Sequence, residues 1–411
     1  MVAATPAHPR AENQAVYSKS TPEQTDYLLI LRGLAALGVL LGHAFGIGQY
    51  SVGAYISDST TGVFQLFDHP LTPLKEFLFI VTPLLGSNFV ILFFVQSGYL
   101  MGKIFQDDRY KFSAESVRHF YRNRILRLVP LLYFNLLIAA CFFVNAQFSP
   151  KMVIGDLLFI TNFTGRGLNL VTWSLSHEMQ YYLIAPLVFW LFRSPRRSML
   201  LWLLATICGV YLATRSGFLA HFEYVFAFLS GYSINILLRL YPLKVKERTK
   251  IAVVLLCIGL VDVAYNWLFL IGHFQYGDLV VTLVTAAAVF VVECGSSYEI
   301  SQRHPRFAAV IRFGMFTGAL SYGIYLWHYM VVISRASFFA HIADRFALKF
   351  GLSATWEHIA LYHVIEISLT LIVTYALATA TFYGIETRFR PGLYRTAASV
   401  RRSVAVEQPA E

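Results

Sequence analysis

The chain has 411 residues, of which 57% are hydrophobic and only 14% charged, a balance that excludes a soluble globular protein and points to a polytopic membrane protein. The net charge of +10 does not imply nucleic acid, because Lys and Arg fall in loops between apolar runs, as the positive-inside rule requires. Cys141, Cys208, Cys257 and Cys294 lie within or at the end of apolar segments without CxxC spacing, and read as small buried hydrophobes rather than a disulfide framework.

Residues 1–25 are polar and rich in Ala, Pro, Ser and Thr; a disordered cytoplasmic segment without a cleavable signal is expected there. Apolar runs long enough to cross a hydrocarbon core follow at about 27–47, 77–101, 125–146, 179–193, 198–214, 222–240, 251–271, 278–295, 317–338 and 363–385. The expected fold is therefore all-α, a membrane bundle of about ten transmembrane helices spanning 26–390, with a basic cytoplasmic tail at 391–411. The fourth and fifth runs are split only by Arg193-Ser-Pro-Arg-Arg197, and the apolar segment 152–163 is too short to span. One set of alternating loops carries Lys103 to Arg124, Arg193 to Arg197, Lys244 to Lys250, Arg303 to Arg312 and the tail from Arg388; the 48–74 connection has no Lys or Arg. Both termini are expected in the cytoplasm.

The first run holds the most informative residues. Arg32 and His43 are eleven residues apart in LLILRGLAALGVLLGHAFGIG, three helical turns plus about 20°, so they share one face at depths about 16 Å apart. Ionisable groups at such depth cost several kcal/mol and are functional candidates by default. Arg124 and Arg127 stand at the expected cytoplasmic mouth of the third run, before Pro130. Trp173, Ser174 and Glu178, in VTWSLSHEMQYYLIAP, stand at the expected outer mouth of the fourth. In the ninth run Ser321, Tyr325 and His328 share a face at i, i+4, i+7. Cations thus converge from inside, a histidine and a carboxylate from outside.

That layout suits group transfer across a membrane. A phosphate-rich donor needs guanidinium forks, an acceptor hydroxyl needs a base, usually histidine, and a nearby carboxylate fixes the histidine's tautomer. Plainer readings exist for each residue: a snorkelling Arg32, packing roles for His43 and His328, topological charge at Arg124 and Arg127, a helix-dipole role for Glu178 and an interfacial Trp173. His177-Glu178 is not a zinc motif, because position 181 is Tyr where HExxH needs His; no metal is expected. Asn162-Phe-Thr164 fits a glycosylation acceptor.

These residues occur in a recognisable order: Arg32-Gly33 with His43 (Arg-x10-His), Phe93-Phe94-Val-Gln-Ser97-Gly98, Arg124-x-x-Arg127 with Pro130, Trp173-Ser174-Leu175-x-x-Glu178 with Gln180-Tyr181-Tyr182, Ser321-Tyr322-x-x-Tyr325-Leu326-x-His328, and Glu386. In this the chain resembles the acyltransferase-3 family of integral-membrane acyltransferases. The resemblance implies an acyl-CoA co-substrate, usually acetyl-CoA, and O-acylation of a cell-surface carbohydrate or, alternatively, of a secreted small molecule such as a macrolide. On the layout and the resemblance together, catalytic roles are expected for His43, Glu178 and Arg32, donor contacts from Arg124, Arg127 and Arg32, and acceptor contacts from Trp173, Ser174, Tyr182, Tyr325 and His328. The expected setting is the bacterial cytoplasmic membrane, with membrane lipids as surroundings, no nucleic-acid partner, and room for a homo-oligomer. A transporter or flippase with an intramembrane charge relay is the rival class.

Overall fold

The computed structural model describes residues 25–55, 87–105, 112–142, 149–165, 167–191, 194–213, 224–270, 276–295, 304–349, 351 and 356–389, and these are helical with no strand. In chain order the helices are α1 (Tyr27–Tyr55), α2 (Ser87–Phe105), α3 (Ala114–Phe142), α4 (Pro150–Leu157), α5 (Thr161–Thr164), α6 (Thr172–Leu191), α7 (Pro195–Ala213), α8 (Val225–Leu240), α9 (Glu247–Leu270), α10 (Gly277–Glu293), α11 (Pro305–Lys349) and α12 (Trp356–Thr381). The last continues through a π-helical stretch, Phe382–Glu386, into a final turn, Thr387–Phe389. Among the described residues, α1, α2, α3, α11 and α12 are long and apolar enough to cross a membrane. The polar segment before residue 25, the 56–86 connection and the tail after 389 lie outside the described residues.

Several helix starts follow from local sequence. Asp26 accepts from Leu29 N–H at 2.9 Å, and Ser113 from Ser116 N–H at 3.2 Å; both satisfy donors that a helix start leaves open. Ser149 accepts from Lys151 N–H with Pro150 at the first helical position, where a missing N–H costs nothing. Boundaries differ from the hydropathy reading where helix outlasts hydropathy. The basic stretch 114–124, expected as loop, is the first part of α3. The ninth run lies inside the 45-residue α11. Trp173 and Ser174, expected at a loop end, are in the first turn of α6.

The helix pairs α1–α11, α2–α8 and α11–α12 form the core contacts. Two crossings depend on glycine. A Cβ on Gly98 would strike the backbone of Phe228, and one on Gly231 the backbone of Val95, so α2 and α8 touch main chain to main chain, the packing that small residues permit in membranes. Gly33 and Gly318 do the same for α1 and α11, where a Cβ on Gly33 would lie 2.8 Å from Gly318 N. Large apolar side chains on the outside, among them Leu183, Leu187 and Trp190 of α6 and Leu255, Leu256 and Val263 of α9, are exposed. An apolar exterior on that scale is a lipid-facing surface.

One end of the bundle is tied by polar contacts. Tyr27 donates to Glu247 at 2.5 Å, Tyr99 donates to Glu293, Lys103 pairs with Glu293 at 3.5 Å, and Lys250 donates to Val292 O at 2.7 Å. These bring together the start of α1, the end of α2, the start of α9 and the end of α10. They are the termini that the basic loops place on one side.

Candidate active site

A cavity lies between α1, α2, α3, α6 and α11. Its polar wall consists of Arg32, Gln96, Ser97, Arg127, Ser174, Glu178, Ser321, Tyr322 and Tyr325, set among Val90, Phe93, Phe94, Leu100, Leu128 and Leu175. Charged and polar groups inside an apolar bundle need mutual satisfaction, and here most have it. Glu178 accepts from Ser97 Oγ at 2.7 Å and from the Tyr182 hydroxyl. Ser174 and Tyr325 hydroxyls lie 2.6 Å apart, and Tyr325 also donates to Val171 O at 3.0 Å. Tyr322 donates to Leu128 O at 2.6 Å.

The two expected arginines part company. Arg127 belongs to the cavity wall and lies within electrostatic reach of Glu178 and Glu386. Arg124 does not line the cavity; its guanidinium sits 5.3 Å from the Phe120 ring centre and 5.4 Å from that of Tyr182, in cation–π range of both. Tyr182, expected at the acceptor, is fully buried behind Glu178 and joins that carboxylate to the Arg124 guanidinium. Glu386 closes the π-helical stretch, an insertion that re-aims side chains and recurs at functional sites.

His43 and His328 meet across the α1–α11 contact. His328 Nε2 lies 3.2 Å from His43 Nδ1, with ring centres 5.1 Å apart. His43 Nδ1 is also 3.0 Å from Val39 O, and His328 Nδ1 is 3.2 Å from Ile324 O. A carbonyl only accepts, so both Nδ1 atoms carry hydrogens. His328 Nε2 is then a lone pair receiving the His43 Nδ1–H, which leaves His43 Nε2 proton-free. Tyr325, on the cavity wall, has its ring centre 5.6 Å from that of His328. Ser321, Tyr325 and His328 thus run as one stripe from the cavity to the histidine pair.

The expected pairing of His43 with Glu178 is not present. Glu178 sits in the second turn of α6, inside the bundle at the level of Ser97 and Arg127, whereas His43 is three turns beyond Arg32 along α1. The orienting partner of His43 is His328. Trp173 does not line the cavity; it packs with the rings of His177, Tyr224 and the wall residue Phe94 at 5.4–6.3 Å.

A buried polar clamp, which the sequence reading overlooks, fixes the start of α6. Asn169 donates to Asn135 Oδ1 at 2.9 Å and to Leu326 O at 3.0 Å. Gln180 bonds Phe159 O and exchanges hydrogen bonds with Asn162, which engages the side chain that the glycosylation tripeptide would need free. Asp156 accepts from Leu168 N–H at 2.6 Å and Thr172 Oγ1 at 2.5 Å. Burial pushes the Asp156 carboxyl up to about 6, the two hydrogen bonds opposing it. Because the folded value lies above the ordinary 3.8, the unfolded chain loses its proton first as pH rises. Stability is then expected to fall by roughly 3 kcal/mol between about pH 4 and 6 and to level off above. Thermal midpoints across that range should show this slope in the wild type and not in Asp156→Asn; parallel curves would refute it.

An apolar helical exterior around a cavity that carries Arg32, Arg127 and Glu178 marks an integral-membrane protein with a candidate site inside its bundle. Residues 25–384 match the family described as Acyltransferase domain, of the acyltransferase-3 type, and the chain belongs to that family of membrane acyltransferases. No curated protein and no solved structure matches the chain. Membership of an acyltransferase family leaves the transporter reading without support.

Proposed function

We propose that this acyltransferase takes an acyl group, acetyl in the simplest case, from cytoplasmic acyl-CoA and places it on a hydroxyl of an exported or cell-surface carbohydrate. The observation that carries this reading is the stripe joining an arginine-bearing cavity, through Tyr325, to the His43–His328 pair. Arg32 and Arg127 supply guanidinium groups for the phosphates of the donor. His43 Nε2 takes the proton of the acceptor hydroxyl, the oxygen attacks the thioester carbonyl, the C–S bond breaks, and CoA leaves as thiolate. The proton held by His43 then returns to that thiolate, so CoA departs as the thiol. His328 holds His43 in the competent tautomer throughout.

The ten helices of 16 residues or more among the described residues are taken as spans with both termini cytoplasmic, in a bacterial cytoplasmic membrane. The loop charges support that orientation, as does the gathering of Tyr27, Lys103, Glu247, Lys250 and Glu293 at one end. Arg32 of the cavity wall then lies in the cytoplasmic half and His43 in the outer half. The test is chemical: envelope carbohydrate from cells lacking the protein is expected to lose an alkali-labile ester that the intact gene restores. Unchanged ester content across the envelope and secreted fractions would contradict the reading.

A further inference from the structure

Gln96 stands near the middle of α2, inside the apolar sequence VILFFVQSGYLM, and only 1% of its surface is exposed. Neither its amide oxygen nor its amide nitrogen has a hydrogen-bond partner among the described residues, although the side chain is part of the cavity wall. An amide brings two donors and two acceptor lone pairs, and a buried amide left unmet destabilises the fold, so each such group calls for an explanation. Leucine would fill the same stretch of helix without that penalty. Neither neighbouring hydroxyl bonds Gln96: the single hydrogen of Ser97 goes to Glu178, so it cannot donate to the Gln96 C=O, and Ser174 pairs with Tyr325.

The capacity of Gln96 is neutral and two-sided, unlike that of Arg32 and Arg127, which suit anionic oxygens. A ligand group that matches it must offer an acceptor to its N–H2 and a donor to its C=O, without charge. Hydroxyls and secondary amides both do so. The uncharged arm that joins the phosphates of an acyl-CoA to its thioester carries two secondary amides, each with one N–H and one C=O. That arm must occupy the stretch between the arginines and the histidine pair if the acyl group is to reach His43, and Gln96 lies on the wall of that stretch.

We infer that Gln96 is a donor-binding residue that hydrogen-bonds an amide of the acyl-CoA arm and thereby sets its position in the cavity. This rests on the acyl-CoA reading above and adds a contact to it. The test is equilibrium binding, to the full-length protein in detergent without acceptor, of two probes: acetyl-CoA, and adenosine 3′,5′-bisphosphate, which has phosphates but no arm. Gln96→Leu is expected to bind acetyl-CoA about tenfold more weakly, the worth of one net hydrogen bond, to bind the bisphosphate as the wild type does, and to unfold at a higher temperature. Gln96→Met, closer in shape, should repeat the pattern. Acetyl-CoA affinity within twofold of wild type in both variants overturns the contact, and would be the result if Gln96 faced only an acceptor hydroxyl. Equal weakening of both probes in both variants also overturns it. A wild-type protein that binds neither probe would overturn the acyl-CoA reading itself, a result distinct from either of these.

Discussion

Replacing His43 with alanine is expected to lower acyl transfer by about 10²- to 10⁴-fold, the usual contribution of a positioned general base, while acyl-CoA binding stays at the wild-type level. The cavity that would hold the donor is lined by Arg32 and Arg127 and does not include His43, so binding and chemistry should separate. His328→Ala should have a smaller effect, about tenfold. It removes one acceptor from the His43 Nδ1–H, but Val39 O at 3.0 Å still holds the same tautomer. This ordering is the reverse of what a scheme with His328 as base demands, since His328 has its Nε2 turned toward His43 and no exposed surface. Single-turnover transfer measured beside equilibrium donor binding decides the matter. A His43→Ala protein that transfers within tenfold of wild type refutes the base assignment.

Arg127→Ala is expected to weaken acetyl-CoA binding by about 10- to 100-fold, the range for a charge-assisted hydrogen bond, and Arg124→Ala to leave it within a few fold. The two residues are three apart in sequence yet do different work. Arg127 faces the cavity, whereas the Arg124 guanidinium lies against Phe120 and Tyr182, where its loss should lower thermal stability instead. Arg127→Lys should rescue binding only in part, because an ammonium lacks the planar fork. Direct titration of purified protein with acetyl-CoA checks this, and equal losses for Arg124→Ala and Arg127→Ala would contradict it.

Residues that are costly where they stand were visible in the sequence. Arg32, His43, Glu178 and His328 are polar groups in apolar runs, and hydropathy alone singles them out. Their partners were not, because partners depend on helix register and crossing. The sequence places Glu178 at an outer mouth, since apolar character begins near residue 179; the helix begins at Thr172, which carries Glu178 into the bundle, where Ser97 and Tyr182 bond it. The His43–His328 contact joins residues 285 apart, brought together because Gly33 and Gly318 let α1 and α11 approach. Asp156, Asn135 and Asn169 carried no signal beyond being polar near or within apolar segments. Gln96 did carry one, an isolated amide in an apolar run, and the intramembrane rule that flagged His43 applies to it as well.

The most direct test of the account uses the purified protein in sealed vesicles, with radiolabelled acetyl-CoA supplied only to the face that carries the ends tied by Lys103, Glu247 and Glu293, and envelope carbohydrate supplied to the other. Alkali-labile label is predicted on the carbohydrate with wild-type protein, and its absence with His43→Ala. Label transferred equally by both proteins, or by neither while wild-type protein binds acetyl-CoA and the carbohydrate is a proven acceptor in cells, would contradict an acyl group passing from the arginine-lined cavity to His43.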